Sequence, residues 1–514
     1  MRAGRSGCPG TSWAKMSSER YQIARIAHTV IPCARVRSDL VVVGAGAAGL
    51  FAALTAAREG ATITLVSARP LAETASYWAQ GGAAAALAVD DSPALHLTDT
   101  LNAGRGLTRY TAAKTLTDEA PARVRDLIDL GVHFDADRHG ELALGLEGGH
   151  SRRRIIHAGG SATGRRMLRT LSAKVAGHAG IHVLEGHRAA AILQQGGVRL
   201  TDGTDLPARA TILATGGAAA LWSRTTNPPG SFGSGLLLAR QAGAMLADLE
   251  FTQFHPTAVV GIEGREGFLI SEAIRGEGAT LHDANGERFV DELEPRDAVA
   301  RAIYQKLRAT NATSVGLDMT MVDPDRFPNI VAALREAGLD PTTQLVPVAP
   351  ASHYVMGGIV TDLDGRVADR LYAVGECACT GLHGANRLAS NSLSECFVFG
   401  HRAALSALDD APPGAPDPFP GAPIEPPSRA TRKAVWQLAG LERNAEDLQR
   451  LQEDPHPLAR LVAASALARQ ETRGSHARAE FPDRDPALDG QHTILDPSAE
   501  FPRFEAWLST AEPS

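Results

Sequence analysis

Residues that could bind a carboxylate recur in the second half of the chain. In the segment F-T-Q-F-H-P-T, Gln253, His255 and Thr257 occupy alternate positions, and alternation puts all three on one face of an extended strand. A single histidine in such a strand is more often a satisfied core residue. Three hydrogen-bonding side chains next to one another favour a carboxylate site instead.

Three later loops carry the same chemistry. Arg296 follows a proline and precedes a predicted helix over 298–307, His353 lies in S-H-Y, and Arg387 lies in G-A-N-R. Each residue alone could be structural. Together with His255 they supply two arginines and two histidines, and arginine binds a carboxylate through two parallel hydrogen bonds while keeping its charge. The sequence therefore predicts a site for a small dicarboxylate.

A glycine-rich turn near the start of the chain predicts a cofactor. Residues 39–49 read D-L-V-V-V-G-A-G-A-A-G. Gly44, Gly46 and Gly49 allow, in that order, a tight turn, close approach of the backbone to a pyrophosphate, and close packing of helix on strand. A tight turn without a ligand is the alternative. The flanking pattern favours a dinucleotide site: a strand over 40–43, a helix over 50–59 and a second strand over 61–66.

Two other glycine-rich segments indicate the same ligand. Residues 74–88 contain Gly81 and Gly82, and glycine lacks the side chain that would keep a flat ligand away from the backbone. Residues 214–217, A-T-G-G, end a predicted strand, and ligands of such sheets lie at the carboxyl ends of the strands.

A polar loop over 146–165 carries Glu147, His150 and His157 and has neither helical nor strand periodicity. An ordinary surface loop is the alternative. Its length without a pattern favours a functional loop.

Composition and charge narrow the classes of function. The chain has 514 residues and a net charge of −7, which suits about two or three domains. The basic run 152–154 is interpreted as a solvated turn, so no patch for nucleic acid is present. Five cysteines form no zinc-type spacing and are expected to be reduced thiols. Apolar runs fall short of the roughly 18 residues that span a bilayer, so we expect a cytoplasmic protein without metal, nucleic acid or membrane partners.

The chain resembles the succinate dehydrogenase/fumarate reductase flavoprotein family over about residues 39–408. Ten motifs carry the resemblance and occur in the family's order: G-A-G-A-A-G-L, Y-W-A-Q-G-G, E-G-G-H-S-x-R-R, A-T-G-G, Q-F-H-P-T, E-A-I-R-G-E-G-A, P-R-D-A-V-A-R-A, H-Y-V-M-G-G, L-Y-A-V-G-E and T-G-L-H-G-A-N-R-L-A-S-N-S-L. Chance does not supply ten such matches in sequence.

The resemblance implies an α/β fold, with a Rossmann-type FAD-binding domain, an inserted α+β capping domain and a C-terminal helical domain. The expected segments are a disordered leader over 1–37, the FAD-binding domain over 38–249 and 356–408, the capping domain over 250–355, a proline-rich linker over 409–429 and the helical domain over 430–514.

Two positions resemble the branch of the family that oxidises L-aspartate. Respiratory members attach FAD covalently to a histidine where this chain has Ala75, so non-covalent FAD is expected. Glu147 matches the residue near the substrate amino group, and a cation beside a carboxylate is favourable in a partly dry site.

The residue patterns and the resemblance together assign the cofactor and substrate positions. FAD contacts are expected at Gly44, Ala45, Gly46, Ala47, Ala48, Gly49, Ser67, Ala75, Ser76, Tyr77, Trp78, Ala79, Gln80, Gly81, Gly82, Arg188, Ala189, Thr215, Gly216, Ser234, Glu376, Ser392 and Leu393. Substrate contacts are expected at Glu147, Gln253, His255, Thr257, Ser271, His353 and Arg387.

Arg296 matches the family's proposed acid/base, and His255, His353 and Arg387 are the other expected catalytic residues. An arginine, whose pKa is above roughly 12, is a reluctant base, so an electrostatic role stays open. The cofactor region departs from the family pattern at Ser234, usually acidic, and at Ala68, usually basic.

The implied reaction is the oxidation of L-aspartate to iminoaspartate, the first step of quinolinate and NAD synthesis. The flavin would be reoxidised by O2 or fumarate, with functional coupling to quinolinate synthase. One alternative is a soluble fumarate reductase or succinate dehydrogenase flavoprotein subunit, which Ala75 and Glu147 disfavour. The other is a non-catalytic flavin-binding module, which the retained dicarboxylate-binding residues disfavour.

Overall fold

The computed structural model describes residues 38–71 and 73–507. The leader expected over 1–37, with its two cysteines, lies outside the described residues. So do residues 508–514, at the end of the predicted helical domain.

The strands of the described chain are β1 (Ser38–Val43), β2 (Ile63–Ser67), β3 (Ala83–Ala84), β4 (Leu144–Gly145), β5 (Ile155–Ile156), β6 (Ile181–Glu185), β7 (Ala189–Ile192), β8 (Gly197–Leu200), β9 (Asp205–Leu213), β10 (Leu246–Ala247), β11 (Thr252–Val259), β12 (Thr280–His282), β13 (Val315–Asp318), β14 (Val346–Val355), β15 (Gly358–Val360), β16 (Arg366–Ala368), β17 (Leu371–Ala373), β18 (Ala378–Cys379), β19 (Gln491–Leu495) and β20 (Arg503–Ala506).

The α-helices of the same residues are α1 (Ala47–Arg58), α2 (Pro93–Ala103), α3 (Tyr110–Asp129), α4 (Thr163–Ala176), α5 (Ser234–Gln241), α6 (Glu272–Gly276), α7 (Arg296–Thr310), α8 (Pro328–Glu336), α9 (Asn391–Leu408), α10 (Arg429–Leu438), α11 (Ala445–Leu451) and α12 (Pro457–Ala468).

The largest sheet is the Rossmann-type sheet predicted from the glycine-rich turn. Its order is β16-β17-β9-β1-β2-β6, and β1 runs parallel to both β2 and β9. The predicted strand, turn, helix and second strand are confirmed as β1, α1 and β2. Helices α1 and α9 cover this sheet, with the rings of Phe51 and Phe397 edge to face at 5.2 Å. The carboxyl ends of β1 and β9 therefore meet at the glycine-rich turn.

A separate antiparallel sheet carries the histidines of the predicted dicarboxylate site. Its order is β11-β14-β13-β12, and it lies within the segment expected to form the capping domain. Strand β11 is buried along its whole length. Its pairing with β14 shifts between Gln253 and Phe254 and again between His255 and Ala258. Such irregularities re-aim side chains, so simple alternation does not set where these residues point.

The C-terminal segment is helical at first, as predicted, but it also contains two strands that were not predicted. Helices α10, α11 and α12 are followed by β19, which pairs with β10, and by β20. These strands complete a five-stranded sheet of order β18-β15-β10-β19-β20. The C-terminal segment is thus joined to the rest of the protein by backbone hydrogen bonds, because β19 pairs with the edge of β10. The exact domain boundaries stay a prediction.

Within the ranges described, no helix has both the length and the apolarity to cross a bilayer. Cys377 and Cys379 are buried free thiols, and burial raises the pKa of Cys377. Their environment is that of packed core residues.

Candidate active site

The turn between β1 and α1, here called the glycine cradle, has no space for a side chain at Gly44 or Gly49. Gly44 has φ +116°, and a Cβ there would stand 2.1 Å from the carbonyl oxygen of Ala214. A Cβ at Gly49 would stand 1.9 Å from the carbonyl oxygen of Gly44. Gly46 precedes α1 without a side-chain cap. The first-turn amides therefore line the cleft at the positive end of the helix, where a pyrophosphate is stabilised.

A cleft of about 900 Å³ runs from this cradle to the antiparallel sheet, a volume typical of ligand sites. Two buried oxygens of cleft-lining residues, Gln80 Oε1 and Thr74 Oγ1, have no hydrogen-bond partner. Buried polar atoms are rarely left unpaired, so the wall is built for a polar ligand. The glycine cradle, the volume and these oxygens together fit FAD.

Most predicted cofactor positions lie on the wall of this one cleft. They are Gly44, Ala45, Gly46, Ala47, Ala48, Ser67, Ala75, Ser76, Trp78, Ala79, Gln80, Gly81, Gly82, Arg188, Ala189, Thr215, Gly216, Ser234, Glu376, Ser392 and Leu393. Gly49 and Tyr77 do not line it; Gly49 supports the turn from behind, and Tyr77 accepts a hydrogen bond from Arg169 at 3.3 Å.

Glu376 is an acidic residue among the predicted cofactor positions on the cleft wall. Burial raises the pKa of Glu376 to about 7, although the N–H group of Val355 donates to its Oε1 at 3.1 Å. A Cβ at Gly217 would stand 2.1 Å from the same oxygen. The A-T-G-G segment therefore needs its second glycine to admit this side chain.

The proline-rich linker also reaches the cleft, which the sequence did not predict. Its residues 423–426 line the wall, and its Asp417 carbonyl accepts the N–H group of Gln194 beyond β7 at 2.7 Å. The linker was interpreted only as a connection between domains, since proline content gives no sign of what a segment packs against.

Two arginines of the substrate region are joined through one amide. Gln253 Oε1 accepts hydrogen bonds from Arg296 Nη1 at 3.1 Å and from Arg387 Nη2 at 3.0 Å. Arg387 Nη1 also donates to Ser392 Oγ at 2.7 Å, and its guanidinium lies 4.4 Å from the ring centre of Tyr354. Burial and the charge of Arg296 lower the pKa of Arg387 to about 10. Both arginines line the cleft, whereas Gln253 lies behind them.

Two histidine rings meet edge to face beside the arginines. The ring centres of His255 and His353 are 5.0 Å apart. Burial, followed by the charge of Arg296, lowers the pKa of each histidine well below its usual value. The N–H group of Thr257 donates to His255 Nδ1 at 3.3 Å, so neutral His255 carries its proton on Nε2. His255 is then a hydrogen-bond donor without charge.

Of the three alternating residues, only His255 lines the cleft. Gln253 acts on the arginines, and the Thr257 hydroxyl donates to the carbonyl oxygen of Ile270 at 2.9 Å. Ser271, which does line the cleft, also caps α6 by accepting the N–H group of Ala273 at 3.4 Å. The substrate contacts assigned to Gln253 and Thr257 stay predictions.

Glu272 belongs to the site but was not singled out from the sequence. Its Oε2 accepts Arg296 Nε at 2.5 Å, and its Oε1 accepts the N–H group of Gly148 at 3.1 Å. Arg275 Nη2 lies 3.4 Å from Oε1. Glu272 therefore ties α7 to the loop of Glu147. The signal was present in E-A-I-R-G-E-G-A, where an acid stands three residues before a buried arginine.

Glu147 is a buried carboxylate on the cleft wall with one free oxygen. The Ser390 hydroxyl donates to its Oε2 at 2.6 Å, while its Oε1 has no hydrogen-bond partner. His157 Nε2 lies 3.9 Å from Oε1. Burial alone would raise the pKa of Glu147, but the nearby His157 ring, the charge of Arg296 and the Ser390 hydroxyl lower it to about 2. The group is therefore ionised at neutral pH.

The interpretation of the basic run 152–154 as a solvated turn is wrong for its last residue. Arg154 is fully buried. Its guanidinium binds Asp91 at 2.8 Å and Asp99 at 2.5 Å, and contacts His150 Nδ1 at 3.1 Å. These contacts fix the Glu147 loop against α2, so His150 is a support and not a cleft residue. The acidic partners are about 60 residues away, which a local pattern does not reveal.

Comparisons with known proteins identify the protein family to which this chain belongs. Residues 39–393 match the family described as "FAD binding domain", and residues 453–507 match "Fumarate reductase flavoprotein C-term". A mutant quinol fumarate reductase of E. coli has a TM-score of 0.81 and 28% identity, covering 93% of this chain and 98% of that one. The chain belongs to this family of FAD-binding flavoproteins, and FAD is its cofactor.

Among the curated members, the chain is similar to L-aspartate oxidases over most of its length. It is 44% identical to the L-aspartate oxidase of Caulobacter vibrioides, over 90% of this chain and 98% of that protein. It is 40% identical to the L-aspartate oxidase of Streptomyces coelicolor, over 95% of this chain and 98% of that protein.

Proposed function

We propose that this protein oxidises L-aspartate to iminoaspartate. The observation that carries the proposal is the ionised, buried Glu147 with a free oxygen, in a cleft that also presents Arg296, Arg387 and two neutral histidines. The carboxylate suits an ammonium group, and the donors suit two carboxylates. The L-aspartate oxidases of similar sequence support the same substrate.

The substrate carboxylates are held by groups of fixed orientation. Gln253 locks the guanidinium groups of Arg296 and Arg387, and their free N–H groups can pair with a carboxylate in the planar geometry that arginine favours. His255 adds the N–H group of Nε2 without a second positive charge. Holding the substrate in one orientation supplies much of the rate enhancement in such reactions.

The reaction removes a hydride from Cα and a proton from the ammonium group, and the nitrogen electron pair then forms the C=N bond. FAD, when bound, supplies the acceptor for the two electrons. Arginine does not act as a base in proteins, and Glu272 holds the Arg296 guanidinium in place through the hydrogen bond from Nε. We therefore assign Arg296 an electrostatic role and the proton to solvent.

The wider assignments follow from the relatives. We propose O2 or fumarate as the acceptor that reoxidises the flavin, non-covalent FAD because Ala75 cannot form a covalent bond to it, a cytoplasmic location, and functional coupling to a quinolinate synthase in NAD synthesis. A fumarate reductase or succinate dehydrogenase flavoprotein is the second candidate, and Glu147 disfavours it because succinate has no ammonium group to pair with that carboxylate.

Product analysis tests the proposal. The FAD-loaded protein is incubated in air with L-aspartate and fumarate, so that both proposed acceptors are present. Oxaloacetate and ammonia, the hydrolysis products of iminoaspartate, are measured with D-aspartate as the control. We expect both products from L-aspartate and neither from D-aspartate. Absence of both products from a protein that retains FAD would contradict the proposal.

A further inference from the structure

The hydroxyl of Ser390 does not make the capping hydrogen bond that is usual for a serine at the start of a helix. Ser390 is the N-cap of α9 with φ +60°, a left-handed conformation uncommon for a residue other than glycine. A serine N-cap normally accepts a hydrogen bond from the first helical turn, but Ser390 makes no such bond. Its hydroxyl instead donates to Glu147 Oε2 at 2.6 Å.

We infer that Ser390 is a positioning residue that sets the selectivity for an amino dicarboxylate, acting through Glu147. This inference rests on the proposed function. By occupying Oε2, the Ser390 hydroxyl leaves Oε1 as the acceptor for the substrate ammonium group, and Oε1 is the buried oxygen without a partner. Strained backbone of this kind persists where the surrounding structure holds it and is concentrated at functional sites.

The Glu147–Ser390 pair lies on the cleft wall, against the backbone of Gly81. A Cβ added at Gly81 would stand 3.4 Å from Glu147 Oε1 and 3.4 Å from Ser390 Oγ. Gly81, Glu147 and Ser390 all line the cleft. His157 Nε2, at 3.9 Å, is too far away to hydrogen-bond to Oε1. A substrate ammonium group, with three donors, is the partner that this oxygen lacks.

The two possible roles of Ser390, positioning Glu147 or only supporting the fold, predict different effects of its loss on the binding of different ligands. If Ser390 only supported the start of α9, its loss would weaken every ligand of the cleft alike. If it orients Glu147, its loss affects only ligands with an amino group. Succinate is L-aspartate without the amino group and is therefore the matched control ligand.

The test compares Ser390→Ala and Ser390→Gly in the FAD-loaded protein. Glycine relieves the backbone strain that alanine keeps. We expect Ala and Gly to raise the KM for L-aspartate about tenfold, the effect of losing a hydrogen bond to a charged group. The dissociation constant of succinate, read from the flavin spectrum, should stay unchanged.

Two results would overturn the inference: an unchanged KM for L-aspartate in both the Ala and Gly variants, or a parallel weakening of succinate. The unmodified protein in the same experiment separates this failure from that of the proposed function. If it binds succinate but does not turn over L-aspartate, the proposed function fails and the inference fails with it. If it turns over L-aspartate and the variants match it, only the inference fails.

Discussion

At the scale of residues, the substrate region is organised by a few polar atoms with more than one partner. Gln253 Oε1 accepts from both arginines, and Glu272 binds Arg296 through one oxygen and the Glu147 loop through the other. The positively charged groups of Arg296 and Arg387 are thus held close together, because both donate to Gln253 Oε1. This arrangement explains why the arginines can offer their remaining donors to a doubly charged substrate.

Glu147→Gln tests the ammonium contact. Glutamine keeps the shape and the Ser390 contact but has no negative charge, so we expect the KM for L-aspartate to rise about tenfold or more because a charge-assisted hydrogen bond is lost. Succinate binding should be unchanged or tighter. Steady-state kinetics with L-aspartate and a spectral titration with succinate provide the comparison; equal effects on both ligands would refute the assignment.

Arg387→Lys tests the carboxylate contact. Lysine cannot keep both the Ser392 and the Gln253 contacts, so L-aspartate and succinate should both weaken, by about tenfold. The matched control is Arg402→Lys on α9, where Arg402 pairs with Glu119 at 2.7 Å outside the cleft. The control should bind both ligands normally. Selective weakening of L-aspartate alone in the Arg387 variant would contradict a carboxylate role.

At the scale of elements, the glycine-rich turn is where local sequence and tertiary structure agree most closely. Strand β1, helix α1 and strand β2 were predictable because glycines, apolar runs and spacing are all local signals. The positions of Gln253 and Thr257 away from the cleft wall and the buried state of Arg154 were not predictable. The first depends on two irregularities in the β11 pairing, and the second on acids in α2 and just before it. Strands β19 and β20 were missed because short strands depend on the edge that β10 offers.

Gly44→Ala tests the cradle, with Gly60→Ala as its matched control. Both glycines have positive φ, but an added Cβ collides with Ala214 at Gly44 and meets nothing within 4 Å at Gly60. The Gly60 variant should lose about 1 kcal/mol of stability and keep FAD. The Gly44 variant should lose FAD binding, measured by flavin fluorescence. Normal FAD affinity in the Gly44 variant would contradict the role of this turn.

Arg469→Met tests how the C-terminal helices are anchored. Arg469 is fully buried and binds Glu250 at 2.7 Å and Glu471 at 2.8 Å. Removing one partner of a buried ion pair leaves unpaired charge, so unfolding free energy should fall by about 3–5 kcal/mol. The double variant Glu250→Gln/Arg469→Met should recover part of the loss. Chemical denaturation checks both; a loss below about 1 kcal/mol, as for a surface pair, would contradict the account.

At the scale of the whole molecule, burial of neutral histidines makes stability depend on pH. Burial lowers the pKa of His96 to about 3, and it also lowers the pKa values of His150, His255, His353 and His476. Below the ordinary value of 6.5, the unfolded chain binds protons that the folded chain does not, so stability falls as pH falls.

The Tm of the FAD-loaded protein is measured at about pH 7.5 and about pH 5. At the acidic pH, each such histidine lowers the free energy of unfolding by up to about 2 kcal/mol. Glu250 and Glu376, whose pKa values burial raises, act in the opposite direction, but the histidines outnumber them. We expect a lower Tm at the acidic value. A constant or higher Tm would contradict the assignment of these histidines as neutral.

If the cleft oxidises an amino dicarboxylate, the absorbance of the bound flavin changes when that substrate is added. The purified protein is held without oxygen, with FAD added to fill the site, and L-aspartate or succinate is added separately. We expect L-aspartate to bleach the yellow flavin band and succinate to leave it unchanged. Bleaching by succinate alone, or by neither compound while FAD is bound, would contradict the proposed function.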